Sequence, residues 1–395
     1  MTTATLPRAA TTEQGRGALV ALYFATVAVF ADMYIAQPIL PLLSREYGIA
    51  PATAGLSVSA VVISVALASS LYGPVSDALG RKPVMVVTAL VLALPTFACA
   101  LAPSFPLLLL FRAMQGVLIP GLTAVAVAYI GDAFAGAELG AAVGGYIAAS
   151  VAGGLIGRVV SGLIADLFTW HAAFVFFAGI TLIAAIVMAR LLPASAPRTV
   201  AVSWATAYRG MFAHFRSRKL VGAFIVGGTL FFAFIGIFTY LPYYLTAAPF
   251  RLSTGAVSGV YGVYLAGVIV SPFAGRLARR FPRPAIMAVG MAICVVAITS
   301  TLALSSVLGI IGALIVLCIG MFTAQSTAPA YVNATAQGAK GGASALYLAF
   351  YYGGASLGSV LPGFAWQAFG WHGVVATCVA SLAVGLLADA ALCRD

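Results

Sequence analysis

The chain has 395 residues, of which 63% are hydrophobic and only 7% are charged, and a soluble domain carries about 25% charged residues. This composition excludes a globular protein covered by water, and the net charge of +11 does not indicate nucleic-acid binding, because the basic residues lie in short loops between apolar runs. The five cysteines form no CxxC pair, so neither a metal site, a cofactor nor a disulfide framework is expected.

Apolar runs long enough to cross a bilayer recur along the whole chain, since a spanning helix needs about twenty such residues. The sequence predicts an all-α membrane protein with twelve transmembrane helices in two six-helix bundles. The predicted spans are 18–43, 53–76, 83–102, 105–131, 139–165, 171–192, 220–246, 254–277, 284–303, 306–330, 342–366 and 372–392. Most basic residues fall on one side of these spans, which predicts that both termini are cytoplasmic.

Asp32 in the first span is the only acidic residue deep inside any predicted span. At about 1.5 Å per residue, its depth is similar to that of Arg112 in the fourth span and Arg158 in the fifth. Desolvation favours a protonated carboxyl and a nearby arginine opposes it, and this competition can make a proton switch. We expect Asp32 and Arg112 to form a proton-coupling site; the alternative is a static pair that holds helices together.

The second span ends in a loop with closely spaced glycines and charges. Its residues are Gly73, Asp77, Gly80, Arg81 and Lys82, and the fourth span ends on the same side at Asp132. Glycines allow a tight turn and close helix contact, and Asp77 and Arg81 can hold neighbouring helix ends by charge-assisted bonds. We expect Gly73, Asp77, Gly80, Arg81 and Lys82 to act in gating.

A polar stretch from Pro193 to Lys219 lies midway along the chain. Trp204, Tyr208 and Phe212 recur there at helical spacing, which favours an amphipathic helix on the membrane surface over a plain linker. The predicted domains are an N-terminal bundle over 1–192, a linker over 193–218 and a C-terminal bundle over 219–395.

The two halves repeat at an offset of 201 residues. In the first half the repeated glycines are Gly153, Gly157 and Gly162, and in the second half they are Gly354, Gly358 and Gly363. Small residues at this spacing let membrane helices approach closely, so we expect these glycines to serve helix packing. Repeated six-span halves are a known transporter architecture, with the substrate site between them near the midplane.

The charged residues inside the spans are not repeated. Asp32, Arg112 and Arg158 correspond to Ala233, Ala313 and Ser359, and spans seven and eleven are instead rich in Phe and Tyr. We infer that the first half couples ions while the second shapes an amphipathic binding surface. The residues expected to contact substrate are Arg158, Gln37, Gln115, Phe238, Tyr240, Tyr347 and Tyr351.

Three motifs together resemble the major facilitator superfamily. The loop from Gly73 to Lys82 is similar to its loop signature, and Arg112 followed by Gln115-Gly116 is similar to a second pattern. The run Gly153–Gly162 looks like its antiporter motif, although Arg158 stands where a proline is expected, which weakens any antiport inference. The resemblance covers the whole chain in span count and repeat order, and it implies the two-bundle transporter fold. It also implies that Asp132 lies near Arg81, so we expect these two residues to form a clasp that acts in gating.

Within that superfamily the chain looks closest to bacterial drug-efflux proteins of the acriflavine-resistance type. This resemblance implies proton-coupled export of small amphipathic or aromatic compounds, by a protein that we expect to be a monomer. One Asp against two Arg leaves a surplus positive charge, so the alternative is an organic anion transporter, importing or exporting, with Arg112 and Arg158 binding the anion. A receptor that binds without transporting is the alternative from another class.

Two enzyme-like patterns have simpler explanations. Gly354-Ala-Ser356-Leu-Gly358 spells a nucleophile elbow, but that motif needs a strand-to-helix turn and here lies within a predicted span. The chain has no Gly-Lys dipeptide and therefore no Walker A loop. We therefore do not expect an enzyme.

Overall fold

A computed structural model describes residues 13–134, 136–193, 211–277, 280–337 and 340–393. Helix is the expected structure here, because only internally bonded backbone is stable in lipid. The helices are α1 (Glu13–Tyr34), α2 (Leu40–Tyr47), α3 (Pro51–Leu79), α4 (Arg81–Ala100), α5 (Phe105–Leu118), α6 (Pro120–Ala133), α7 (Gly136–Leu167), α8 (Trp170–Leu191), α9 (Arg218–Thr246), α10 (Thr254–Val260), α11 (Tyr264–Leu277), α12 (Arg283–Ser300), α13 (Val307–Thr335), α14 (Lys340–Gly358) and α15 (Leu361–Ala388). Short 3-10 turns occur at His214–Arg216 and Tyr261–Val263, and a π-helical turn at Asp389–Cys393.

The described residues hold eleven stretches that are long and apolar enough to cross a membrane. The remaining span begins with α14 and continues, after a two-residue break, into the first turns of α15. Gly370 then divides α15, because its φ of 56° and ψ of −139° are not helical, and glycine tolerates that backbone conformation. The prediction of twelve transmembrane helices is therefore confirmed, with the last two spans meeting at Gly370.

The first predicted span is interrupted near its end. Helix α1 stops at Tyr34, a turn covers residues 35–39, and α2 starts at Leu40. Pro38 accounts for the interruption, since the residue before a proline is disfavoured in helical conformation and proline has no N–H to donate. The last carbonyls of α1 consequently need partners from outside the helix.

The chain divides into two compact units, which do not follow the chain order strictly. One unit comprises Met1–Ile35 and Leu67–Ala201, and the other comprises Ala36–Ala66 and Val202–Asp395. Helix α2 and the first half of α3 therefore belong with the second unit by their contacts. The predicted domain boundaries were derived from the sequence repeat and remain a prediction.

The repeated glycines lie where helix backbones touch, and they do so in the same way in each unit. A methyl group on Gly153 would lie 2.5 Å from the carbonyl oxygen of Val27, and one on Gly157 would overlap the backbone of Ala31. In the second unit, methyl groups on Gly354 and Gly358 would overlap the carbonyl oxygens of Gly228 and Phe232. Val27 and Ala31 correspond to Gly228 and Phe232 at the offset of 201 residues, so the repeat extends to the contacts between helices.

The third glycine of each set is also enclosed. Gly162 is buried in α7, and a methyl group on Gly363 would lie 2.5 Å from the Cα atom of Ala52.

The predicted amphipathic helix falls mostly on residues 194–210, including Trp204 and Tyr208, which lie outside the described residues. Within the described part, Phe212 and Phe215 stack with ring centroids 6.2 Å apart, and both side chains are exposed.

Candidate functional site

The carboxyl group of Asp32 is fully enclosed between α1, α4 and α8. Its side chain is 0% exposed. The Oδ2 atom accepts a hydrogen bond of 2.7 Å from the Thr181 hydroxyl and one of 3.4 Å from the Thr96 hydroxyl. The Oδ1 atom has no hydrogen-bond partner. This oxygen can therefore take a proton without breaking an existing bond.

The guanidinium of Arg112 binds the end of α1. Its Nη1 and Nη2 atoms donate to the main-chain carbonyls of Asp32 at 3.1 Å and Met33 at 2.9 Å. These carbonyls belong to the last turn of α1, where intrahelical partners are missing and a positive charge is favoured. The side chain is 0% exposed, so Arg112 both closes the helix end and places a buried charge beside Asp32.

Gln115 connects the arginine to the carboxyl group. Its Oε1 atom accepts from Arg112 at 2.8 Å, and its Nε2 atom donates to the Thr96 hydroxyl at 2.7 Å. Arg112, Gln115, Thr96 and Asp32 thus form a continuous chain of hydrogen bonds, in which each bond polarises the next. The expected contact of Gln115 with substrate stays a prediction.

Thr96 and Thr181 are residues that sequence reasoning missed. Both are fully buried, and both point a hydroxyl at the same carboxylate oxygen from helices far apart in the sequence. Hydroxyls in membrane helices commonly bond to their own backbone, and the single Thr96 proton is shared between the Leu92 carbonyl at 2.9 Å and the Asp32 Oδ2 atom at 3.4 Å. No feature of the apolar runs in which they lie marks them as different.

Arg158 lies against the aromatic end of α1. Its side chain is 4% exposed, its Nη1 atom donates to the Gly154 carbonyl at 2.7 Å, and its guanidinium lies 3.7 Å from the ring centre of Tyr34. Such a cation–π contact strengthens when water is excluded. A binding role for Arg158 remains a prediction.

Three of the predicted substrate residues of the second unit belong to one series of neighbouring rings. Tyr347 and Tyr351 stack on each other along α14, and Tyr351 stacks on Phe231. Phe234 connects Phe231 to Phe238, with ring centroids 6.4 Å and 4.9 Å away. Phe238 also packs against Tyr264 at 4.6 Å.

Tyr240 and Gln37 lie elsewhere in the second unit. The Tyr240 hydroxyl donates to the Ser359 carbonyl at 2.8 Å, and Gln37 donates to the Thr239 hydroxyl at 3.0 Å. Both side chains are 0% exposed. A role in substrate binding for all seven expected residues stays a prediction.

The loop after α3 holds three helix ends together. Arg81 contacts Asp77 at 2.6 Å and Asp132 at 3.3 Å, joining the ends of α3 and α6 to the start of α4. The neighbouring Lys82 donates to the Leu192 carbonyl at 2.6 Å. Gly80 supplies the turn with a φ of 93°, and the Gly73 carbonyl accepts from Arg81.

We predict that Arg81→Ala loosens this loop and raises chemical labelling of a cysteine placed in the first turn of α4. Val84→Cys provides the target, because Val84 is only 5% exposed and becomes accessible when the helix ends separate. The labelling rate should rise several-fold, since the guanidinium that holds Asp77 and Asp132 is removed. The exposed Arg190→Ala is the control. An unchanged rate in Arg81→Ala would count against a gating role.

Comparisons with known proteins agree with this architecture. A profile of the Major Facilitator Superfamily matches residues 22–358. The chain is 32% identical to the uncharacterized MFS-type transporter YybF of Bacillus subtilis, covering 95% of this chain and 93% of that protein. It is 33% identical to the inner membrane transport protein YnfM of Escherichia coli, covering 95% and 90%. A solved bacterial homologue of the lysosomal transporter Spinster superposes with a TM-score of 0.82 at 15% identity, covering 97% and 98% of the two chains.

Proposed function

Because this chain belongs to the major facilitator superfamily and is a multi-pass secondary transporter and not an enzyme, we propose that it exports small amphipathic or aromatic compounds in exchange for protons. We propose that its type of transport is that of the acriflavine-resistance efflux proteins. It also places the protein in a bacterial inner membrane as a monomer with both termini in the cytoplasm. The similarity to an inner membrane transport protein of Escherichia coli supports that location.

The observation that carries the coupling proposal is the Oδ1 atom of Asp32. This atom is buried without a hydrogen-bond partner. The neighbouring Arg112 donates its Nη1 and Nη2 protons to main-chain carbonyls and not to this oxygen. A carboxyl group held in this way can change its protonation while the surrounding hydrogen bonds stay in place. Since buried ionisable residues are costly in a membrane, a functional role explains this arrangement better than packing does.

Transport by purified protein in liposomes tests the proposal. A thermal-shift screen at two pH values first identifies compounds that bind. A proton gradient should then drive their accumulation, and an uncoupler should abolish it. A compound that binds but never crosses the membrane would instead support a non-transporting receptor, and accumulation that ignores the proton gradient would refute proton coupling.

The anion alternative is supported by the second buried arginine, Arg158, which costs roughly 2.5–3.5 kcal/mol to insert. At the corresponding position the other half has Ser359, whose hydroxyl donates to the Ser356 carbonyl in the preceding helix. We predict that Arg158→Ala loses transport of acidic compounds by about tenfold or more while neutral compounds are spared, if the guanidinium binds an anion. If Arg158 influences Asp32 instead, the pH optimum should shift for every compound.

The control for Arg158→Ala is Arg190→Ala, which removes an exposed arginine from the next helix. An unchanged substrate range together with an unchanged pH profile would leave Arg158 with a packing role only.

A further inference from the structure

The middle of the second unit contains an aromatic stack with polar groups along one edge. Phe231 of α9 and Tyr351 of α14 stack nearly parallel, with ring centroids 3.8 Å apart and planes inclined by 13°. Tyr347, one helical turn before Tyr351, continues the stack at 6.0 Å and 24°. Three rings from two helices therefore present one set of roughly parallel aromatic faces.

Two polar side chains lie at the edge of this stack. Gln325 of α13, which is only half-buried, donates its amide Nε2–H to the hydroxyl of Tyr351. The hydroxyl of Tyr347 is buried and has no hydrogen-bond partner. Leaving a buried hydroxyl unbonded costs free energy that a ligand acceptor would recover.

The position of the Tyr347 ring is fixed by its neighbour. The ring lies over Gly227 of α9, where a methyl group would come within 2.5 Å of the ring carbon Cε2. The glycine therefore lets the ring lie flat against the helix backbone, and the unbonded hydroxyl is held in place.

No charged side chain occurs in the central part of the three helices that supply these residues. The sequence of α13 contains no charged residue at all, and those of α9 and α14 have theirs only at the start, at Arg218, Lys219 and Lys340. An ion bound among these rings would lose its hydration without gaining a counter-charge. These three helices therefore offer no counter-charge to a bound anion or cation.

We propose that Phe231, Gln325, Tyr347 and Tyr351 form a subsite for an uncharged, planar aromatic ring whose edge carries a hydrogen-bond acceptor. The aromatic ring of the ligand extends the stack of Phe231 and Tyr351. The Tyr347 hydroxyl donates a hydrogen bond to the ligand's acceptor, and the Gln325 amide hydrogen-bonds the polar edge of the ligand. Offset stacking of aromatic rings is favourable beyond the burial of area. This inference rests on the proposed transport function and names the class of substrate for it.

The test measures binding of three fluorescent probes to the purified full-length protein in detergent at one pH and without a gradient. The probes are 7-methoxycoumarin, its 3-carboxylate, and 2-methoxynaphthalene, which lacks the lactone carbonyl. Wild type should bind 7-methoxycoumarin more tightly than either of the other two, because only this probe is uncharged and also carries the acceptor.

The variants separate stacking from hydrogen bonding. Tyr347→Phe and Gln325→Leu should each weaken 7-methoxycoumarin about five- to tenfold, as expected for one lost hydrogen bond, and leave 2-methoxynaphthalene unchanged. Phe231→Leu should weaken both uncharged probes. Thr327→Val is the control on α13, because that buried hydroxyl bonds its own helix at Thr323. Thermal unfolding of each variant shows whether it is folded.

Equal binding of 7-methoxycoumarin and its carboxylate to wild type would overturn the proposal, and so would no binding of any probe; neither outcome depends on a variant. Equal losses for both uncharged probes in Tyr347→Phe would also overturn it. Because no proton gradient is used, the expected binding pattern without transport in liposomes would refute the proposed function and leave the subsite standing. Proton-driven transport of other compounds without this binding pattern would refute the subsite and leave the proposed function standing.

Discussion

Asp32→Asn should reduce proton-driven accumulation of substrate in liposomes to the level of protein-free liposomes. An amide has nearly the same shape as the protonated carboxyl and can still bond the Thr181 hydroxyl, which lies 2.7 Å from Oδ2. It cannot gain and lose a proton in the working pH range. The variant should therefore bind substrate and exchange it between equal concentrations on the two sides, with no response to the proton gradient.

The matched control is Asp166→Asn, which neutralises an exposed aspartate near the end of α7. It should accumulate substrate as wild type does. Thr181→Val keeps the carboxyl group but removes its closest donor, so it should shift the pH profile of transport, and Thr181→Ser should restore it. Uphill transport by Asp32→Asn at the rate of wild type would show that the proton is carried elsewhere.

Arg112→Met should lower the thermal stability of the purified protein and abolish transport. The change removes the hydrogen bonds that Arg112 donates to the carbonyls of Asp32 and Met33 at the end of α1. Each buried acceptor left unbonded costs about 1–3 kcal/mol of stability. It also removes the donor to Gln115 and so breaks the chain of bonds that reaches Thr96. Arg112→Lys should recover stability only in part, because a single ammonium cannot reproduce the planar fork of donors.

Arg45→Met is the control for this loss, since Arg45 is an exposed arginine in α2. Its melting temperature should match that of wild type. If Arg112→Met were as stable as Arg45→Met, the hydrogen bonds to the end of α1 would contribute little, and Arg112 would act through its charge alone.

The fold was largely predictable because it is determined by properties that a sequence displays directly. The length of the apolar runs gave the spans, and the offset of 201 residues related Gly153 and Gly157 to Gly354 and Gly358, which contact corresponding parts of their neighbouring helices. The interruptions of the helices at residues 35–39 and at Gly370 were harder to predict from the sequence. The grouping of Ala36–Ala66 with the second unit depends on contacts that no local pattern reports.

The sequence pointed to the charged members of the candidate site and to Gln115, but not to Thr96, Thr181 or Gln325. Asp32 and Arg112 stand out because ionisable residues inside a span are rare and costly. Thr181, Thr96 and Gln325 do not stand out, because hydroxyls and amides occur often in spans and acquire a role only through partners distant in sequence. Thr181, for example, is 149 residues from the carboxylate it bonds.

Proton movement during transport is the most direct test of coupling. Liposomes containing the purified protein and a trapped pH-sensitive dye start with equal pH on both sides and with substrate only inside. If protons are exchanged for substrate, each substrate molecule that leaves through the wild-type protein brings protons into the liposome. The trapped dye should then report acidification of the interior with wild type and no pH change with Asp32→Asn. Substrate efflux through wild type without any pH change, or with the same change in Asp32→Asn, would contradict the account.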